Sequence, residues 1–186
     1  NGVGVSISSD ILRHAINQVV FAAATEDSRP VLTGVKVEID GNQFTLAAAD
    51  GFRLAVFQGL LETTLDEPVS FIIPARTLVE LNRLLGDQSE PVEFTVTPQR
   101  SQVLFRFKNI DLVSQLLQGN FPNYQQLIPE SFETRTVVSL PEFLRATKAA
   151  SIFARDGGGI VRIQVSPGSK GADGKMMVSA RAEELG

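Results

Sequence analysis

Phe44-Thr45-Leu46-Ala47-Ala48-Ala49-Asp50-Gly51-Phe52-Arg53-Leu54-Ala55-Val56-Phe57 reads as two short apolar strands folded back on each other across Asp50-Gly51. Asp-Gly suits a tight type I′ turn, because both central residues need positive φ, which Gly adopts freely and Asp tolerates. The flanks are not a plain alternation, since Ala47-Ala48-Ala49 sets three small side chains in a row before the turn. Small side chains there leave a shallow depression. With Leu54 just after the turn and Leu32 ending a turn-like stretch upstream, one reading is a groove floored by alanines and walled by leucines. The other is that these are ordinary core residues of a sheet, the usual fate of apolar strand residues.

Working outward, the hairpin belongs to a unit written three times. Leu12, Leu78 and Leu144, spaced by 66 residues, each lie a few residues into a helical pattern that follows a β-rich run. Those runs are Val5 to Ser8, Val69 to Ile73 and Thr136 to Leu140. Ser8-Ser9-Asp10 offers side-chain oxygens to cap the first helix, while Pro74 and Pro141 suit a first helical turn. The pattern predicts helices over 10–23, 75–85 and 141–153. Strands follow each helix: 33–39, 43–49 and 52–58, then 92–97, 102–108 and 110–117, with breaks at Asp40-Gly41-Asn42, Pro98 and Lys108-Asn109. Alternation in Val35-Lys36-Val37-Glu38-Ile39 and Val103-Leu104-Phe105-Arg106-Phe107 gives each strand one buried and one wet face. The third repeat shows strands near 160–165 and 175–180, around the loop 166–174, and lacks its last strand before Gly186.

A β-α-β-β-β unit cannot close its sheet alone, so two of them, with both helices on one side, make a sensible α+β domain. Repeats one (3–66) and two (69–118) form that domain. The Pro122- and Pro129-containing stretch 119–135 then reads as a linker, and repeat three opens a second, similar domain. A half-domain leaves open strand edges, a liability unless covered, so the chain is expected to be a piece of a longer protein.

Composition bounds the function. With 43% hydrophobic and 20% charged residues the chain is a globular, non-membrane type, and no apolar run approaches the ~20 residues of a bilayer span. The N-terminal residues carry no secretory signal pattern, so a cytoplasmic setting is expected. Zero cysteines exclude disulfides, thiolate nucleophiles and cysteine zinc sites, and the single His14, placed on a helix surface, leaves Ser-His-Asp catalysis and histidine metal sites without material. Asp156-Gly157-Gly158-Gly159 lacks the Lys-Ser/Thr of a phosphate loop and precedes a strand. Glu26-Asp27 and Asp50 could be imagined as an acidic pair, but nothing in the sequence fixes them together; no cofactor or metal is expected. The net charge of −4 does not mark a simple nucleic-acid binder. Arg13, Arg76, Arg83, Arg145 and Lys148 nevertheless lie on the predicted helices, with Arg76/Arg83 and Arg145/Lys148 at same-face spacings. Helices side by side would then offer DNA phosphates a basic face; solvated helix surfaces, diluted by Glu80 and Glu142, are the plainer alternative.

Three stretches carry a resemblance: Arg29-Pro30-Val31-Leu32-Thr33-Gly34, the hairpin Ala49 to Ala55, and Gly119-Asn120-Phe121-Pro122-Asn123-Tyr124. They resemble the bacterial sliding clamp, the beta subunit of DNA polymerase III, across the whole chain. The resemblance implies the DNA-clamp fold, with residues 1–126 as the clamp's middle domain and 127–186 as the first half of its third domain. It also implies a ring-shaped homodimer around double-stranded DNA, with Arg13, Arg29, Arg76, Arg83, Arg145 and Lys148 facing the duplex. Leu32, Ala49, Gly51, Phe52, Arg53, Leu54, Pro122 and Leu127 match positions of a pocket that takes short peptides from the polymerase III alpha subunit, the clamp loader and other clamp-binding proteins. Ala49 and Phe52 stand where the family often has Thr and His, which makes the pocket more apolar, and Gln126 replaces a common basic residue. Two rival classes stand beside this non-enzymatic reading: a clamp-like interaction module that forms no ring, and an enzyme whose site lies outside these residues.

Overall fold

The computed structural model describes residues 3–26, 28–155, 158–169 and 173–181. Asp27, Asp156-Gly157 and part of the loop 166–174 lie outside the described residues, so the expectations placed on them are not addressed. The chain divides into two compact bodies, Asn1–Ile128 and Pro129–Gly186.

The first body runs β1 (Val3–Ile7), α1 (Ser9–Val19), β2 (Gly34–Asp40), β3 (Gln43–Ala49), β4 (Leu54–Leu60), β5 (Val69–Pro74), α2 (Ala75–Leu85), β6 (Val92–Val96), β7 (Gln102–Phe107) and β8 (Ile110–Gln115). Its two four-stranded antiparallel sheets are ordered β4-β3-β2-β5 and β1-β6-β7-β8. The repeats therefore exchange their first strands. β1 of repeat one pairs with β6 of repeat two (Val5 opposite Phe94, Ile7 opposite Val92), and β5 of repeat two pairs with β2 of repeat one (Phe71 opposite Val37, Ile73 opposite Val35). Two backbone hydrogen bonds repeat the same relation: Glu62 N–H donates to the Ser6 carbonyl at 3.2 Å, and Leu117 N–H to the Ile72 carbonyl at 2.9 Å. Ser6 and Ile72 are 66 residues apart, the period of the repeat.

The alternate residues Val35, Val37 and Ile39 of β2, and Val92, Phe94 and Val96 of β6, share one core with Leu12, Ile16, Val19, Leu78, Leu81 and Leu85 of the helices. α1 and α2 pack together, tied by a 3.0 Å hydrogen bond from Asn82 to Asn17. The Ser8 side chain makes no capping bond. The neighbouring Ser9 is fully buried instead, and its hydroxyl donates to the Gln88 carbonyl (2.9 Å), fastening the start of α1 to the chain leaving α2. α1 also ends earlier than its apolar period suggests, tightening into a 3-10 turn at Val20–Ala22.

The second body holds α3 (Leu140–Ala154), β9 (Val161–Ser166) and β10 (Lys175–Ala180), with β9 and β10 as a two-stranded sheet. Two expectations need correction here. Residues 136–139 are not a strand, because no described strand pairs with them and a lone extended segment has no ladder to join. The repeat also slips by one residue. The residues preceding the helices are Ser8, Pro74 and Ser139, so Phe143, which donates its N–H to the Ser139 carbonyl as Leu12 does to Ser8, takes the place expected for Leu144. Leu144 is 49% exposed, whereas Leu12 and Leu78 are buried.

Candidate functional site

The hairpin turn is centred one residue later than the sequence suggests. Ala49 pairs with Leu54 and the Asp50 N–H reaches the Arg53 carbonyl at 3.3 Å, so the central residues are Gly51 and Phe52. Gly51 has φ of 94° and supplies the positive φ at the first central position; Asp50 does not need one. Freed from that role, Asp50 caps the turn. Its Oδ1 accepts from the N–H groups of Phe52 (2.9 Å) and Arg53 (3.0 Å), and its Oδ2 accepts from Arg53 Nε (2.9 Å). The Phe52 and Arg53 backbone bonds, then the Arg53 side chain, hold the Asp50 carboxyl below its ordinary range. Arg53 is held from a second side by Phe21, whose ring centre lies 5.8 Å from the guanidinium carbon.

Beside this turn lies a cavity of about 190 Å³ whose walls include Arg29, Leu32, Phe52 and Arg53. Leu32 is buried and Phe52 is 98% exposed, so wall and rim differ sharply in access to water. Glu26 and Asp50 reach the same cavity, yet Asp50 is committed to the turn. Among the described residues no group of three or more His, Cys, Asp or Glu is placed to hold a metal ion.

Ala49 and Leu54 do not line that cavity; they lie on the other face of the hairpin sheet. Phe44, Leu46 and Ala48 point to the helices and join the main core. Ala47 points away, yet it is fully buried, as are Ile72 and Tyr124, none of which belongs to that core. The cover is the segment that follows β8. Its anchor is Tyr124, whose hydroxyl donates to Glu38 and whose ring lies beneath Lys36 Nζ, 5.7 Å from the centroid. Two glycines let the cover approach: a Cβ on Gly34 would stand 2.5 Å from Ile72 and 2.7 Å from Leu117, and one on Gly119, at φ of 128°, 2.7 Å from Val31. Continuing the β2–β3 register from Lys36–Ala47 sets Gly34 opposite Ala49, which faces Leu54 in turn. At this end of the sheet Ala49 and Leu54 are half-buried, while Pro122 and Leu127 stay exposed on the covering segment. The sequence-level groove thus divides into the Ala49–Leu54 shelf and the cavity of Arg29 and Leu32. Phe21 and Tyr124, which hold the two parts, are not among the candidate site residues of the sequence reading; Tyr124 enters it only as the end of the stretch Gly119 to Tyr124, and Phe21 only as part of the first predicted helix.

Tyr124 and Glu38 give this region a pH signature. Burial first, then Glu38, pushes the Tyr124 hydroxyl up to about 12, whereas Glu38 sits below its ordinary value because bonds from Lys36 and Tyr124 outweigh its burial. A raised tyrosine stabilises the fold below its unfolded value of 10.0 and loses that contribution as pH rises towards 12; the lowered glutamate contributes above 4.5 and loses it as pH falls below that. Tyr124→Phe is therefore expected to lower the midpoint of thermal unfolding near pH 7, by about 1–2 kcal/mol of stability, and to remove the decline between pH 10 and 12. An unchanged alkaline profile in the variant would contradict the anchor role.

The basic residues are dispersed. Arg13 is turned inward, bonded to the carbonyls of Gly86 and Gln88 and paired with Asp10 across one helical turn. Arg76 and Arg83 are exposed on α2, and Arg83 is paired with Glu80 at 2.5 Å. Arg29 is exposed, with a guanidinium nitrogen 3.2 Å from where a Gly51 Cβ would stand. Arg145 and Lys148 are exposed on α3 of the second body. Exposed His14 lies edge-on to Phe57 at 5.6 Å. Among the described residues no helix is long and apolar enough to cross a membrane.

Duplicated, strand-exchanged repeats with paired helices define the sliding-clamp class. The crystal structure of the DNA polymerase sliding clamp from Bacillus subtilis matches 97% of this chain at a TM-score of 0.83 and 32% identity, over 49% of its own length. That from Pseudomonas aeruginosa matches all of it at 0.89 and 24% identity, over 49–50% of its length, and supports the fold alone. The chain belongs to the DNA polymerase III beta subunit family, whose central-domain model matches residues 6–123. It is 34% identical over 183 residues to the beta sliding clamp of Bacillus subtilis and 36% identical over 182 residues to that of Staphylococcus aureus, with 98% of this chain covered in each. It spans about half the length of these curated relatives, 47% and 46%.

Proposed function

We propose that the chain is the middle domain and the opening half of the third domain of a cytoplasmic sliding clamp. The complete subunit is a non-catalytic processivity factor that closes, as a homodimer, into a ring around duplex DNA. Its partners are the polymerase III alpha subunit, the clamp loader and other proteins that present short linear peptides. The observation that carries this reading is the Asp50-capped hairpin beside the covering segment. In this reading Leu32, Ala49, Gly51, Phe52, Arg53, Leu54, Pro122 and Leu127 receive the peptide, whose apolar anchors meet the Ala49–Leu54 shelf and the cavity beside Leu32. Burying two such anchors contributes on the order of 3–6 kcal/mol before ordering costs.

DNA contact falls to Arg76 and Arg83 on the solvent face of α2, with Arg29, Arg145 and Lys148. Arg13 is the weakest member of the set, since its cation already serves two carbonyls and Asp10. Sparse cations, one of them half-neutralised by Glu80, suit sequence-blind sliding, because dense phosphate contacts would arrest movement. Arg76→Glu combined with Arg83→Glu in the full-length clamp is expected to cut loading onto primed DNA by about tenfold at low salt and to flatten its salt dependence, since fewer phosphate contacts are left for salt to weaken. Loading equal to the parent's at all salt concentrations would sink the assignment of α2 to the DNA face.

A further inference from the structure

We infer that a second cavity of the first body, on the sheet face turned away from the helices, binds a phosphomonoester the size of a nucleoside monophosphate. The cavity holds about 390 Å³ and lies between β5, the β6–β7 turn and the segment that follows β8. It shares no wall residue with the cavity beside the hairpin, and none of its walls belongs to the peptide-binding or DNA-facing sets.

Charge selects an anion. The chain carries a net charge of −4, yet these walls hold two cations, Lys36 and Arg100, and no carboxylate. Val35 and Val37 of β2 join the core, so Lys36 between them, with Ile72 across the ladder, faces the other way. The Lys36 ammonium pairs with Glu38 at 2.8 Å, which uses one of its three N–H donors. Arg100 forms no ion pair among the described residues. The Ser70 hydroxyl and the Asn120 amide add neutral donors. Along the covering segment, Leu117 N–H is committed to the Ile72 carbonyl at 2.9 Å, but the N–H groups of Gln118 to Phe121 donate to no backbone carbonyl among the described residues. Two cations, a hydroxyl, an amide and uncommitted N–H groups exceed what the two oxygens of a carboxylate use. They suit the three terminal oxygens of a phosphate ester.

Arg100 is held in place at a cost. Its φ of 51° lies in the left-handed region, which a bulky side chain rarely adopts. The turn fixes it there from both sides: Arg100 N–H donates to the Thr97 carbonyl (2.8 Å), and Gln118 Nε2 donates to the Arg100 carbonyl (3.1 Å). Thr97 Oγ1 also accepts from the N–H groups of Ser101 (3.2 Å) and Gln102 (3.1 Å). An arginine kept where glycine would fit without strain is a feature of ligand clamps. Size sets the rest of the ligand. The volume is more than a bare phosphate fills and falls in the range of roughly 300–1,000 Å³ common to small-molecule sites. Ile72, Leu117 and the ring of Phe121 give the remaining wall an apolar, partly aromatic surface, on which a planar base can lie.

The test is calorimetric titration of the full-length protein at low salt with AMP, adenosine and inorganic phosphate. AMP is expected to bind saturably with a Kd below about 1 mM, and adenosine and phosphate at least about tenfold more weakly. Arg100→Gly removes the guanidinium, so AMP affinity is expected to fall at least about tenfold. Its unfolding midpoint should stay within about 3 °C of the parent's, because relief of the positive φ offsets the added freedom of glycine in the unfolded chain. Asn120→Asp, at an exposed position, sets a carboxylate in the wall and is expected to weaken AMP binding by about tenfold in a folded protein. Absence of saturable AMP binding overturns the inference. So does binding of phosphate or adenosine as tight as that of AMP, or AMP affinity that survives both substitutions.

Discussion

Leu54→Asp is expected to lower the affinity of the full-length clamp for a fluorescently labelled Gln-x-x-Leu-Phe peptide by at least about 100-fold, because the peptide's apolar anchor would then enclose an unpaired carboxylate. The side chain stands at the first position of β4, half-buried opposite Ala49 on the face away from the main core. Hydrated carboxylate is therefore available to the free protein and lost on binding, so the cost falls on the complex and the unfolding midpoint should move little. Anisotropy titration measures the affinity and circular dichroism the fold. A folded variant that keeps the parent's affinity within about threefold would mean that the shelf is only sheet surface.

Phe105→Ala is the largest stability effect expected in the first body, about 3–5 kcal/mol. Phe105 is 2% exposed in β7, directly opposite Phe94, with ring centres 5.9 Å apart, and Phe94 meets Phe71 of the exchanged strand β5 at 6.4 Å. The ring thus sits at the seam where repeat two receives its neighbours. Since domains hold only about 5–15 kcal/mol, the variant should show a large fall in urea midpoint with an unchanged slope. A loss under about 1 kcal/mol would show that the seam repacks, contrary to the tight burial seen here.

Where the sequence predicts well, the physics is local. Helix α2 and strands β3 and β10 fall on their expected residues because apolar periodicity and punctuating glycines, prolines and asparagines act over a few positions. The exchange of first strands is not local: nothing within Val69–Pro74 says that its partner is β2 rather than β6, and only the paired registers reveal it. The same limit explains residues 136–139, β-rich in type but without a ladder beside them. The turn was misplaced by one residue because Asp50-Gly51 has two uses, a central pair or a capping carboxylate before the central pair, and cross-strand pairing of Ala49 with Leu54 selects the second. The hairpin's own candidate residues follow from its local turn and strand pattern. Phe21 and Tyr124 do not, since their roles depend on contacts with Arg53, Lys36 and Glu38, the last two 88 and 86 positions away from Tyr124.

The central claim is topological, and the most direct measurement is the lifetime of the full-length clamp on circular and linear DNA of the same length after loading. The account predicts persistence on a closed circle in salt high enough to screen phosphate contacts, and rapid loss once the circle is cut, because the ring then slides off an end. Equal lifetimes on circular and linear DNA, falling together as salt rises, would mean that the protein holds DNA by charge alone, and would contradict the clamp.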